Sequence, residues 1–433
     1  MRKIYIWDKI VSFFAENKES EKSERAVNDS YVAKMKYLAQ DKMNFTAIFS
    51  SKLANLAVSE ANAEIKTEDK AEVLKEAFND VWRRAKNITA TSLGVGGVFL
   101  IPHFEDGRIY TEAITQDRVL VEKSVGGRII EATVLAESIR KDGKNFIRWT
   151  HYALLNNELV ISSIATSGGE VIPLSCVEEW KEILPEVRIK DCDRMLFAYL
   201  KSPADSRDTQ GFYGVPVTYG CDSLIREIHE HLAAISKEYK IKQAFIGADS
   251  MLFSAEGKLP EDGIFKMLSP LGSERDFWQE FNPEIRHEPY FKRLEELYRM
   301  LESAVGTSRG ILTEVSSKGA TATEIKRARF DTFAFVEEIR RSWEYAANDL
   351  LYCYKKLLCY YLDSREIDAS VLFDWSYSLF ESSEESFAQL KTGFDAGVIS
   401  AQELRQYLKP SENLKLAEEN IKKIRENKEE NYA

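Results

Sequence analysis

The sequence predicts an α+β protein in which a β-rich region interrupts helical sequence. Three observations predict it: helix-period segments before about residue 94, short β-like phrases from about 94 to 200, and long helix-period segments after residue 221. A chain of 433 residues suits two or three domains, each able to bury a core. Hydrophobic residues at 44% and charged residues at 30% describe an ordered soluble chain.

At the start, Ile4, Trp7, Ile10, Val11 and Phe14 fall at helical spacing and predict a short amphipathic helix docked on a protein surface. Residues 31–60 read as helical. KTEDKAEVLKEAFNDVWRRAKNITATSLG then reads as one strong helix closed by a glycine. The phrases GGVFLIPHF, RIYTEAI, RVLVEK, GRIIEATVLAESI, FIRWTHYAL and ELVISSIA are rich in β-branched and aromatic residues, with GG, DG and NN turn signals between them. No regular alternation of strand and long helix appears, so a mostly antiparallel domain is expected. KSPADSRDTQGFYGVPVTYG, at 201–220, is rich in Pro, Gly and Asp and predicts an extended surface loop or linker.

A long helix is expected over 221–245 and a second over about 288–304, enclosing a short irregular insertion: a stalk with a tip. Gly306 and Gly310 can end the second helix, and VSSKGATATE reads as a loop. Thr321 and Glu324 have capping-box spacing, with Thr323 less well placed, for a helix that runs to about Leu362. Such a helix is nearly forty residues, or ~60 Å at 1.5 Å per residue. It lacks a sustained heptad. Its character changes from the charged IKRARFDTF to the apolar LLYCYKKLLCYYL, so it crosses two environments. Beyond it, VLFDWSYSL reads as a strand, Ser400 and Glu403 form a capping signal within small helices, and the last dozen residues are charged and frayed.

The composition excludes several classes of function. Lys plus Arg number 59 against 70 Asp plus Glu, a net charge of −11, which opposes tight non-specific phosphate binding unless cations are concentrated locally. Five cysteines form no C-x-x-C pair and suit a reducing compartment. The N-terminus lacks the apolar core of a signal peptide, and no apolar run is long enough to span a membrane. SLGVGG, at 92–97, precedes β-like sequence and lacks the lysine of a phosphate loop, so it reads as a packed turn. Asp191, Asp193 and Asp222 fit no metal-ligand spacing. His229 and His231, two apart on a helix, do not share a face, and Cys353 with Cys359 read as buried small hydrophobes. No catalytic residue, cofactor site or metal site is predicted, nor any base-reading DNA motif. The basic cluster Lys326, Arg327 and Arg329, with Lys318 before it, is a solvated face on one chain but a belt of positive charge if repeated around a ring.

Four phrases, in order and spacing, resemble the portal proteins of tailed bacteriophages, of the kind found in long-tailed phages and prophages of Gram-positive bacteria. They are FYGVPVTYGCDSLIREI, FWQEFNPEIR, GTSRGILTE…GATATEI and GFDAGVISAQELRQYL, together spanning about 210–408. The resemblance implies a homo-oligomeric ring, normally of twelve subunits and sometimes thirteen when isolated, at one capsid vertex of the virion, assembled in the host cytoplasm. It implies a portal-like fold divided as follows. Residues 1–220 form a wing with its β-rich region at 94–200, 221–245 a first stem helix and 246–285 a small α/β clip. Residues 286–305 form a second stem helix, 306–322 a tunnel loop, 323–375 a long wing helix and following strand, and 376–433 a small helical crown with a charged tail.

Implied partners are double-stranded DNA passing without sequence preference, the terminase large subunit, a head-completion or adaptor protein, and the major capsid and scaffolding proteins, with no membrane. On this resemblance Lys318, Lys326, Arg327 and Arg329 are DNA-channel candidates. Phe265, Trp278 and Phe281 are clip residues that contact other subunits or the motor, core packing within one subunit being the rival reading of Trp278. The rival functions are another ring-forming head–tail connector, a secretion-channel component, or an enzyme whose site is assembled from unmarked residues.

Overall fold

The computed structural model describes residues 43–67, 72–141, 143–168, 170–204, 212–241, 245–249, 264–268, 278–281, 287–313, 330–362, 367–375, 383–408, 418 and 420–424. The helix expected over 4–14 and residues 425–433 lie outside them, while 422–424, the first of the last dozen residues expected to fray, are helical.

Helix α1 (Phe45–Val58) starts where the Asn44 side chain accepts the Ala47 N–H at 3.0 Å, and it buries Phe45, Phe49, Leu53 and Ala57 at helical spacing. Strand β1 (Asn62–Thr67) follows, mostly in the gap between the two segments read as helical. Alternating burial of Ala63 and Ile65 explains it, since a period of two suits a half-covered strand. The single helix expected next is two, α2 (Glu72–Arg83) and α3 (Ala85–Val95). They break at Arg84, whose backbone turns to φ −98°, ψ 2° while its guanidinium donates to Thr111 O at 2.8 Å. Gly96, at φ +103°, ends α3.

All six β-like phrases are strands: β2 (Gly97–Glu105), β3 (Arg108–Thr115), β4 (Val119–Val125), β5 (Arg128–Lys141), β6 (Lys144–Leu155) and β7 (Glu158–Ser167). β8 (Glu170–Ile172), β9 (Glu186–Lys190) and β10 (Ala198–Lys201) complete the region. The DG, GG and NN signals sit at hairpin tips, where Asp106, Gly126, Gly127, Asn156 and Asn157 all have positive φ, as tight right-twisted hairpins require. The strands divide into two antiparallel sheets, β10-β2-β3 and β4-β5-β6-β7-β8, with β9 also paired to β7.

Two cores meet at β2. Val98 and Leu100 join a large core with α1, α2 and α3, while Phe99 and Ile101, on the opposite face, join a second core with Ile129, Val134, Leu159 and Phe197. The expected surface loop at 201–220 departs from expectation where it is described. Ser202, Val215, Val217 and Thr218 are buried, because Gly214 and Gly96 pack backbone to backbone and Val217 N donates to Leu93 O at 2.8 Å.

α4 (Asp222–Ile241) and α5 (His287–Val305) run antiparallel, since Glu227 meets Arg293 at 2.8 Å and His231 meets Tyr290 O at 2.8 Å. Ile228, Ile235, Leu294, Leu297 and Leu301 carry this pair into the large core. Between them lie β11 (Phe245–Asp249), parallel to β12 (Ile264–Leu268) and antiparallel to β13 (Trp278–Phe281).

α6 (Phe330–Leu362) is 33 residues, about 50 Å. Its buried stripe places Trp343, Leu350 and Tyr354 in the large core and Cys353 and Leu357 in the second, whereas most of the charged stretch expected at its start lies outside the described residues. Strand β14 (Ala369–Asp374) pairs antiparallel with β1, some 300 residues earlier. There Trp82 meets Trp343, Phe373 and Trp375 edge-on at 5.6–6.0 Å. α7 (Ser383–Asp395) and α8 (Ala401–Leu408) follow. The anticipated capping box forms, with Ser400 N donating to Glu403 and Glu403 N donating to the Ser400 hydroxyl.

The Gly96–Gly214 crossing admits no side chain: a Cβ on Gly96 would lie 2.4 Å from Gly214 O and would sit on a left-handed backbone. Gly96→Ala is expected to destabilise the protein by about 2–4 kcal/mol, read as a lower midpoint in urea unfolding.

Candidate functional site

The residues of α5 specify an unusual helix end. Leu294, Leu297, Leu301 and Val305 form its apolar stripe, and Glu302 falls beside them on the same buried side. Gly306, at φ +82°, stops the helix, and Thr307 turns back to donate its N–H and hydroxyl to Glu302 O at 2.9 and 3.0 Å.

The Glu302 carboxylate is 1% exposed, and the backbone that follows wraps it. Oε1 accepts the N–H groups of Gly310, Ile311, Leu312 and Thr313 at 3.2, 2.9, 2.6 and 3.1 Å, and Oε2 accepts the Thr313 hydroxyl at 2.7 Å. Four successive amides aimed at one oxygen form a nest, which offsets the cost of burying the charge. Lys52 of α1 donates to Ile311 O from outside the turn.

A second clamp joins this turn to α6. The Ser308 hydroxyl accepts from Asp331 N at 3.1 Å and Thr332 N at 3.3 Å, while Ser308 N donates to the Thr332 hydroxyl at 2.9 Å. These contacts supply partners for amides at the first described turn of α6. Residues 310–313 and 331–332 therefore meet at one buried base, and between them in the sequence comes the segment 314–329. It carries Lys318, Lys326, Arg327 and Arg329 against Glu314 and Glu324, an excess of positive charge within a chain of net −11.

Those four cations themselves lie outside the described residues. The backbones of Phe265, Trp278 and Phe281 are described: Phe281 is opposite Phe245, Phe265 opposite Ile246 and Trp278 opposite Ala248, which brings the three to neighbouring positions around β11. Glu302, Ser308 and Thr332 were missed in the sequence. The available signal was a carboxylate on an apolar helical stripe, just before G-T-S-R-G.

The other polar candidates have structural settings. His229 packs 5.5 Å from the Phe45 ring, and His231 bonds the Tyr290 carbonyl oxygen. Arg194 beside Asp193 holds that carboxyl below its ordinary range. Cys353 is fully buried, and burial pushes its thiol well up, whereas Cys359 is half-buried. Among the described residues, no group of three or more His, Cys, Asp or Glu is arranged to hold a metal, and no helix is long and apolar enough to cross a membrane.

Residues 259–432, about 40% of the chain, match the family described as "Phage portal protein, SPP1 Gp6-like". No curated protein matches the chain. The family match spans β12, β13, α5, the segment 314–329, α6 and the C-terminal helices. It supports a general structural role as a portal or connector, is consistent with a non-enzymatic protein, and supports an association with virions.

Glu302→Gln keeps the shape but replaces an anionic acceptor with an amide. It is expected to cost about 2 kcal/mol, seen as a lower urea midpoint, and to speed proteolytic cleavage within 314–329. Cleavage unchanged from the parent chain would show that the carboxylate does not hold the segment.

Proposed function

We propose that this chain is a portal protein, forming a ring-shaped DNA channel at a capsid vertex. The observation that carries the reading is the family match over 259–432, which contains the basic segment 314–329. In this reading α4 and α5 are the stem, β11–β13 the clip, 314–329 the channel loop with the start of the long helix, and the C-terminal helices a small crown. The β-rich region belongs to the wing.

The mechanism is physical. A closed ring uses one subunit surface head to tail without exposed ends. Twelve copies at −11 each make an acidic duct along which DNA slides instead of adhering. Lys318, Lys326, Arg327 and Arg329 supply local phosphate contacts, and the base around Glu302 holds them in place while the duplex moves. DNA enters during packaging by a terminase large subunit docked on the clip and leaves through a head-completion protein. Phe265, Trp278 and Phe281 serve those clip contacts, and the capsid and scaffolding proteins receive the wing. Hydrolysis of ATP belongs to the motor, because the chain carries no nucleotide-binding motif.

Native mass spectrometry of the purified chain is expected to show a particle twelve or thirteen times the 49.6 kDa subunit mass, with an axial hole in negative stain. Reversing Lys326, Arg327 and Arg329 to Glu is expected to leave that ring intact and to reduce the DNA retained per particle. A ring whose DNA retention and packaged length are unchanged by the reversal would remove these residues from the channel.

A further inference from the structure

The six-stranded sheet carries complementary chemistry at its two opposite edges. At the β4 edge lies a groove of about 840 Å³ between the β4–β5 hairpin and α6. Phe197, Tyr199 and Phe212 line it, and Tyr345, 74% exposed, stands at the α6 rim. Val125 is 60% exposed at the tip of the same hairpin. The lining is positive: Arg194 is balanced by Asp349 at 3.0 Å and by Asp193, while Arg128 and Lys201 add further charge. Arg128 is exposed and makes no ion pair among the described residues.

At the far edge β8 and β9 both pair with β7, and the segment Glu178–Glu186 leads into β9. Leu184 is 64% exposed between Ile183 and Pro185. The segment is held from below. Trp180 is fully buried with its indole N–H 2.7 Å from Glu137, and Pro185 O accepts Ser163 N–H at 2.9 Å. Lys181 balances Glu178, and Arg188 balances Glu186, which leaves Glu179 and Glu182 exposed and without an ion pair among the described residues, in the same segment as the leucine. The result is a preorganised segment that presents an exposed leucine and two acidic side chains.

We propose that Leu184, Glu179 and Glu182 of one copy insert into the Arg128–Tyr345 groove of the next, an inference that rests on the ring reading above. Both halves of the contact are on this chain, the charges are opposite, and the two surfaces occupy opposite edges of one sheet. A contact between different surfaces of identical subunits runs head to tail, the arrangement from which rings close. An apolar, aromatic centre with a charged rim is also the usual anatomy of a specific interface, in which the charges set register and partner.

The test is native mass spectrometry of the full chain carrying Arg128→Glu, the pair Glu179→Arg with Glu182→Arg, or all three changes together. Each one-sided reversal is expected to weaken assembly by about 10–100-fold, and the combined chain is expected to recover it. Leu184→Asp is expected to weaken assembly without recovery. These positions are exposed, so the thermal midpoints of the subunits should stay equal. One-sided variants that assemble like the parent overturn this contact and leave the ring reading standing. Loss without recovery in the combined chain also overturns it, assigning the groove to a different occupant. A parent chain that stays monomeric overturns the ring reading and this contact with it.

Discussion

The fold depends on one constraint: two hydrophobic cores share a wall, and that wall is made of elements apolar on more than one side. Strand β2 sends Val98 and Leu100 to one core and Phe99 and Ile101 to the other. Helix α6 runs past both, burying Trp343 and Leu350 in the first and Cys353 and Leu357 in the second. Hydrogen bonds fix where the wall stands, since Trp343 Nε1 donates to Thr89 at 2.7 Å and the Tyr354 and Thr111 hydroxyls meet at 2.7 Å. A shift of α6 by one turn, 5.4 Å, would misplace side chains in both cores at once. This gives the helix one register.

That register positions the candidate site. The start of α6 is clamped to Ser308, and Ser308 belongs to the turn wrapped around Glu302. A buried carboxylate with a single partner would oppose folding, but here five donors replace its lost hydration and satisfy amides that would otherwise face an apolar helix end. The same interaction that makes the charge tolerable therefore orders the root of a basic segment.

How legible each part was in the sequence follows from how local its cause is. The six β-like phrases and their DG, GG and NN turns were readable because alternation and positive-φ residues act within a few positions. The Ser400–Glu403 cap was readable for the same reason. The break at Arg84 was not, because its cause is the carbonyl of Thr111, 27 residues further on. β1 went unassigned between two helical readings because its pairing partner β14 lies some 300 residues away. The burial of Val215 and Val217 within a Pro- and Gly-rich stretch depends on Gly96 permitting close backbone approach, which composition does not encode. The Glu302 carboxylate that organises the turn after α5 left only one sequence signal, its place on an apolar helical stripe, because its partners are backbone amides that no residue type marks.

The boundary of the family match acquires a physical meaning from this packing. The match begins at 259, yet the large core runs without interruption from Phe45 through Leu100 and Ile228 to Leu358, and α6 finds its apolar partners largely before the matched region. Residues 259–432 alone would expose Trp343, Leu350 and Tyr354 to water and would lose Lys52 from the turn at Ile311. At about 25 cal/mol per Å² of apolar surface, uncovering several such side chains costs about as much as the 5–15 kcal/mol that holds an ordinary domain together. The part of the chain that resembles portal proteins is thus not a separable module. Its helices take their positions from the helical platform and from β2, so whatever role the matched region performs is performed by the chain as one folded body.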